Sequence, residues 1–192
     1  MNGTYTVIRS SRRTIGLEIR DGRLIVRAPR SASQREIDRV LSEKRAWILK
    51  HLEASRIRAE KAAAVPPLTP AELHALAEEA LRVIPERVRH YAGLLGVRPT
   101  GITIRNQRTR WGSCSSKGRL NFNCLLMLTP PEVLDSVVVH ELCHLKEMNH
   151  SAAFYREVYR IFPEYDRWHG WLREHQTELL ARLGSSAAIP LP

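Results

Sequence analysis

The segment His140-Glu141-Leu142-Cys143-His144, followed by His150, places two imidazoles, a carboxylate and a third imidazole close together in the chain. On a helix, residues four apart lie one above the other, so the rings of His140 and His144 can converge on one ion at Zn–N distances of about 2.0–2.1 Å. Glu141 sits about 100° further round, too far to coordinate easily with the pair but close enough to reach a water held by the metal, the position of a general base. A catalytic zinc takes three protein ligands and leaves one position open, and His150 is the best candidate for the third. For it to fold back, the helix must end soon after His144. Asn149, which tolerates the left-handed conformation, is read as the turn, and Ser151 as the cap of a following helix. A random chain of this composition contains the H-E-x-x-H pattern roughly three times in a hundred, and the further His at a fixed position lowers that to about one in a thousand.

These side chains need a helix beneath them and a sheet beside them. Thr129-Pro130-Pro131-Glu132 reads as a helix start, with Thr129 as N-cap, Pro130 at the first position and Glu132 completing a capping box. Leu134, Val137, Val138, Leu142, Leu145 and Met148 then describe a buried helix with one polar stripe carrying His140, His144 and Glu147. Two unpaired histidines inside a core are costly unless something binds them. Upstream, 101–106 reads as a strand, 107–118 as a polar loop and 119–128 as a second strand, whose residues 119–124 are expected to form the edge that takes an extended substrate. Beyond His150 come a helix with Phe154, Val158 and Ile161, a break at Pro163, and a helix with Trp168, Trp171, Leu172, Leu179 and Leu180. His169, His175, Tyr155, Tyr159 and Tyr165 are candidate donors to a substrate oxyanion, and the sequence does not choose among them.

The front of the chain is a separate segment. Residues 4–28 alternate apolar and polar side chains, with Asp21-Gly22 as a hairpin turn, which predicts a small antiparallel sheet. Ser33 with Glu36 makes a capping box for a helix with Ile37, Val40, Leu41, Trp47, Ile48, Leu52 and Ile57 on one face, running to about residue 61. Pro66, Pro67 and Pro70 mark 62–70 as a stiff linker, followed by a helix over 71–95 that Pro85 kinks or interrupts. The expected division is a basic β-hairpin and helix segment at 1–61, a linker at 62–70, a metallopeptidase domain at 71–184 and a frayed tail at 185–192.

In the motifs Arg108-Thr109-Arg110-Trp111-Gly112-Ser113-Cys114, Leu120-Asn121-Phe122-Asn123, His140 to His144 and Asn149-His150-Ser151, taken in this order, the chain resembles the YgjP-like metallopeptidase-domain family. That family is related to the SprT-like and Wss1-like zinc proteases. The resemblance implies an α+β fold with a zincin-like core, His140, His144 and His150 as zinc ligands, and Glu141 as the catalytic carboxylate. Arg108, Arg110 and Trp111 lie in a family motif whose role is either sheet anchoring or substrate contact. The histidine spacing also equals that of metzincins, but Glu147 stands where their turn glycine belongs. Glu164 remains open as a third ligand of the gluzincin kind, and Glu147 as a weaker one.

Composition bounds the rest. At 192 residues the chain can bury a core, and no apolar run approaches the ~18 residues needed to span a bilayer, so no membrane partner is expected and the cytoplasm is the default address. Cys114, Cys124 and Cys143 are an odd number with no C-x-x-C pair, which suggests neither a disulfide framework nor a structural zinc knuckle. The net charge of +10 is uneven: residues 1–61 hold 15 Lys and Arg against 7 Asp and Glu, whereas 62–192 hold 15 against 13. A basic front end suits DNA or another polyanion. The expectation is a zinc metallopeptidase acting on a protein or peptide, in which Glu141 activates a water on Zn2+. The alternative is a polyanion-binding protein with a structural or latent zinc site.

Overall fold

The computed structural model describes residues 5–184, and the chain divides between Ala64 and Val65 into two compact units. The tail at 185–192, expected to fray, lies outside the described residues. The α+β class read from the sequence is borne out, with small sheets and six α-helices among the described residues.

The first unit contains β1 (Tyr5–Ser10), β2 (Gly16–Arg20), β3 (Arg23–Pro29), α1 (Gln34–Glu43) and α2 (Arg45–Ala64). Asp21 and Gly22 take φ of 50° and 71°, and they turn β2 back on β3 as the Asp-Gly pair predicts. The sheet is mixed rather than purely antiparallel: β3 lies in the middle, antiparallel to β2 and parallel to β1. Its inward residues Leu24, Val26 and Ala28 are buried, which suits a strand paired along both edges. The single helix expected to residue 61 is two helices broken at Lys44, and α2 runs to Ala64, three residues into the expected linker. The break resets the helical phase, so Ile48 points inward while Trp47 and Ile57 are exposed.

The second unit begins with α3 (Pro70–Leu95). Thr69 and Glu72 form a capping box at its start, and Gly96, at φ 67°, closes its end. Pro85 does not interrupt this helix. Then follow β4 (Gly101–Arg105), β5 (Gly112–Cys114), β6 (Arg119–Asn123), a 3-10 turn at Cys124–Leu128, α4 (Pro131–Cys143), α5 (Ala152–Ile161) and α6 (Tyr165–Ala181). The strand expected over 119–128 stops at Asn123, because the Asn123 side chain accepts a hydrogen bond from Leu125 N–H and starts the 3-10 turn. The sheet order is β4-β6-β5, with β6 parallel to β4 and antiparallel to β5. The expected substrate edge at 119–124 is therefore corrected: β6 is the central strand and its backbone is used on both sides.

Helix α4 packs against α3, α5, α6 and β5, and ten of its thirteen residues are buried. It does not start as predicted. Pro130 occupies the cap position without a side-chain bond, and the Thr129 hydroxyl donates back to the Leu126 carbonyl, closing the 3-10 turn instead, and also to the Pro130 carbonyl. Its one buried acid outside the histidine motif, Asp135, receives the Arg87 guanidinium and the Tyr91 hydroxyl from α3. A buried carboxylate is tolerable only when paired in this way, so the contact fixes α4 against α3 in one register.

Candidate metal centre

The last turn of α4 and the loop after it bring His140, His144 and His150 together. One ligand atom from each lies within 4.8 Å of the others. Their ring centroids are 4.9 Å (His140 to His144), 4.9 Å (His140 to His150) and 4.8 Å (His144 to His150) apart. The turn that returns His150 is not the left-handed Asn149 expected: no residue there has positive φ. The chain instead tightens into successive reverse turns, with Leu145 N–H to Leu142, Lys146 and Glu147 N–H to Cys143, and Ser151 N–H to Asn149. Ser151 caps α5 as expected, accepting from Phe154 N–H.

Phe154, fully buried on α5, lies below all three imidazoles at 5.0, 4.7 and 4.9 Å from His140, His144 and His150. It is an apolar floor that keeps water off one side of the cluster and leaves the ring nitrogens few alternatives to a cation. Burial, then the neighbouring imidazoles, push the His140 pKa down to about 3, and burial lowers that of His144. Both rings are thus held neutral, as a metal ligand must be.

The other nitrogen of each α4 imidazole is engaged. His144 Nδ1 is 3.2 Å from the Glu147 carbonyl, and His140 Nδ1 is 2.8 Å from the Tyr165 hydroxyl. This leaves Nε2 of each for an ion, and His140 Nε2 does lie 3.0 Å from His150 Nε2. Glu147 contributes its backbone carbonyl, and Glu164, which pairs with Arg167 at 3.0 Å, stands outside the cluster. The donor set of three converging imidazoles fits a zinc-type divalent ion.

Glu141 is 6 % exposed, and its carboxyl makes no hydrogen bond among the described residues. Burial pushes its pKa up to about 8, with Arg110 pulling slightly the other way. Its side chain lies against β5 at Gly112, where an added Cβ would stand 2.6 Å from Oε1, 2.7 Å from Cγ and 2.9 Å from Cδ. The glycine of the Arg108 to Cys114 motif is therefore the space in which the carboxylate sits. Asn123, 1 % exposed, holds that motif from below: Nδ2 donates to the Gln107 carbonyl (2.6 Å) and the Arg110 carbonyl (3.1 Å), and its backbone N–H to Trp111 (2.8 Å). The motif's backbone at Gln107, Arg110 and Trp111 is thus anchored to β6, whose neighbour β5 carries Gly112.

Cys124 and Cys143 are buried free thiols, and Cys114 is a half-buried one. None belongs to the candidate cluster. Of the expected oxyanion donors, Tyr159 bonds Asp166, His175 stacks on Trp171 and bonds its carbonyl, and Tyr165 bonds His140 and His169.

A family model described as YgjP-like, metallopeptidase domain, matches residues 13–75 and 69–175. The chain is 31% identical over 83 residues to a protein named UTP pyrophosphatase from Escherichia coli (strain K12), a stretch covering 43% of this chain and 44% of that protein. It thus spans less than half the length of the curated relative it matches. Two crystal structures of metallopeptidase zymogens are also similar. Pyrococcus abyssi abylysin has TM-score 0.44 and 25% identity, covering 50% of this chain and 95% of that one. Methanocaldococcus jannaschii jannalysin has TM-score 0.43 and 24% identity, covering 47% and 94%.

Proposed function

The chain belongs to the YgjP-like metallopeptidase family, and from that premise we propose that it is a zinc-dependent peptidase in which His140, His144 and His150 hold the metal and Glu141 is the general base. What supports this reading is the cluster of three converging imidazoles, with Glu141, next in sequence to His140, a buried residue whose carboxyl has no hydrogen-bond partner among the described residues. A zinc ion there would polarise a scissile carbonyl and lower the pKa of water. Glu141 then takes the proton of the attacking water and delivers it to the leaving amine. Its raised pKa suits both halves of that task, and positive charge beside it would draw the value down so that the base is ionised when the site is loaded. The outer edge of β5, beside Glu141, offers backbone groups to an extended peptide.

The test is Glu141→Gln in the full chain, with metal content and cleavage of an unfolded protein substrate measured together. The metal stays and cleavage falls by about 10²–10⁴-fold, the usual contribution of a general base. Undiminished cleavage would remove Glu141 from the mechanism.

A second reading, hydrolysis of a nucleoside triphosphate at the same site, is favoured by one relative's name and by Arg110, an exposed guanidinium with no bonded partner among the described residues, near enough to act on Glu141. Assaying UTP beside the protein substrate separates the two. Pyrophosphate release that depends on Glu141, with no peptide bond cut, would replace the peptidase reading.

A further inference from the structure

We infer that Tyr165 and His169 form a directed hydrogen-bond relay that holds His140 in the orientation and tautomer presenting Nε2 to the metal. The inference rests on the reading of His140 as a ligand. His140 has two ring nitrogens with different surroundings: Nε2 is 3.0 Å from His150 Nε2 inside the cluster, and Nδ1 is 2.8 Å from the Tyr165 hydroxyl. A ligating Nε2 carries no proton, so the proton of the neutral ring sits on Nδ1 and is donated to the Tyr165 oxygen. The tyrosine's own proton must then go elsewhere, and His169 Nδ1 lies 3.2 Å away. Direction is thereby set along the whole chain: His140 Nδ1–H donates to Tyr165 O–H, which donates to His169 Nδ1, leaving the His169 proton on Nε2.

The packing enforces this path. Tyr165 is 3 % exposed, so bulk water does not compete for its hydroxyl. Its ring stacks on His169 at 5.0 Å and 19°, and His140 lies nearly parallel to both, at 6.0 Å and 14° from Tyr165 and 6.3 Å and 7° from His169. Tyr165 and His169 stand four apart on α6, the spacing that aligns His140 and His144 on α4, so two helices meet ring to ring. With donor and acceptor both engaged by imidazoles, the Tyr165 hydroxyl is a positioning group and not a donor to a substrate oxyanion.

The experiment measures Zn2+ affinity of the full chain by competition with a chromophoric chelator for wild type, Tyr165→Phe, His169→Phe and the double variant. Both substitutions keep an aromatic ring; Tyr165→Phe removes only the hydroxyl, and His169→Phe replaces the imidazole by a slightly larger ring without its nitrogens. Tyr165→Phe weakens zinc binding by about 10–100-fold, the usual effect of removing a group that orients a ligand. His169→Phe weakens it less, and that loss vanishes when residue 165 is already Phe, because the relay is broken upstream. The His140 Nδ1 proton, seen by NMR in the zinc-loaded wild type, is lost to exchange in Tyr165→Phe. Should Tyr165→Phe not fold, His169→Phe alone decides, since unchanged affinity and an unchanged Nδ1 signal there overturn the relay. Equal zinc affinity in wild type and Tyr165→Phe, or an undiminished His169 effect in the double variant, overturns it while leaving His140 a ligand. Wild type that takes up no zinc overturns both.

Discussion

Replacing Gly112 by Ala tests how Glu141 is held. The backbone of Gly112 is ordinary in φ, so the substitution brings no conformational strain. The new methyl instead meets Glu141 Oε1, Cγ and Cδ at 2.6, 2.7 and 2.9 Å, distances that real Cβ atoms essentially never show. A surface glutamate would swing aside at little cost. Glu141 cannot, because it is 6 % exposed at the end of a helix buried on most sides. Relieving the overlap moves the carboxylate or parts β5 from α4, at about 1–3 kcal/mol for overpacking. A displacement of about 1 Å at a catalytic group costs roughly 10²-fold in rate. Gly112→Ala should therefore retain its metal, lose about 1–3 kcal/mol in denaturant unfolding, and turn over substrate about 10²-fold more slowly. The sign then reverses in a Glu141→Ala background. The three nearest atoms are gone, and an added methyl at a compatible backbone stabilises by about 0.4–1 kcal/mol through the unfolded chain. Equal destabilisation in both backgrounds, or full activity in Gly112→Ala, would refute the argument.

Asn123→Ala strips the carbonyls of Gln107 and Arg110 and the N–H of Leu125 of their partner; unfolding stability should fall by at least about 1–3 kcal/mol, the cost of a single group left buried and unpaired. In the metal-free protein, Glu141 has a folded pKa of about 8, above its ordinary 4.5. Its contribution is therefore fully present below the unfolded value and lost as pH rises through about 8, a slope of up to about 1.4 kcal/mol per unit that Glu141→Gln abolishes. Urea titrations across that window check it, and parallel profiles for the two proteins would contradict it. For the basic first unit we propose a polyanion contact: replacing the exposed Arg35, Lys44 and Lys50 by Ala lowers the salt slope of DNA binding by about one per cation engaged. Binding that is salt-independent, or unchanged in the variant, would dismiss it.

The parts of this site that are close in sequence were legible in the sequence, and the parts assembled across the chain were not. Helical periodicity alone puts His140 and His144 on one face and Glu141 to the side, and Ser151 beside an apolar helix announces a cap. Local chemistry misled where two turns competed for one residue: Thr129 resembles an N-cap but bonds backwards to Leu126, and Asn149 resembles a left-handed turn but the chain uses reverse turns. Sheet order was out of reach, because β1 joining β3 in parallel and β4 joining β6 in parallel depend on pairings between distant segments. The same holds for Tyr165. It was one of several equivalent aromatics and histidines until α6 laid it against His140. Gly112 carried a signal, a glycine inside a motif at a predicted loop, but its partner Glu141 lies 29 residues away and no local rule joins them.

The central claim is that three imidazoles and no other protein group hold one divalent ion. X-ray absorption at the zinc edge, on the full chain reconstituted with one equivalent of Zn2+, tests it most directly. The account predicts nitrogen scatterers near about 2.0–2.1 Å with the multiple-scattering pattern of imidazole, and loss of that signal in His144→Ala. A sulfur scatterer near about 2.3 Å, which would bring in Cys114 or Cys143, or a chain that takes up no zinc, would contradict it.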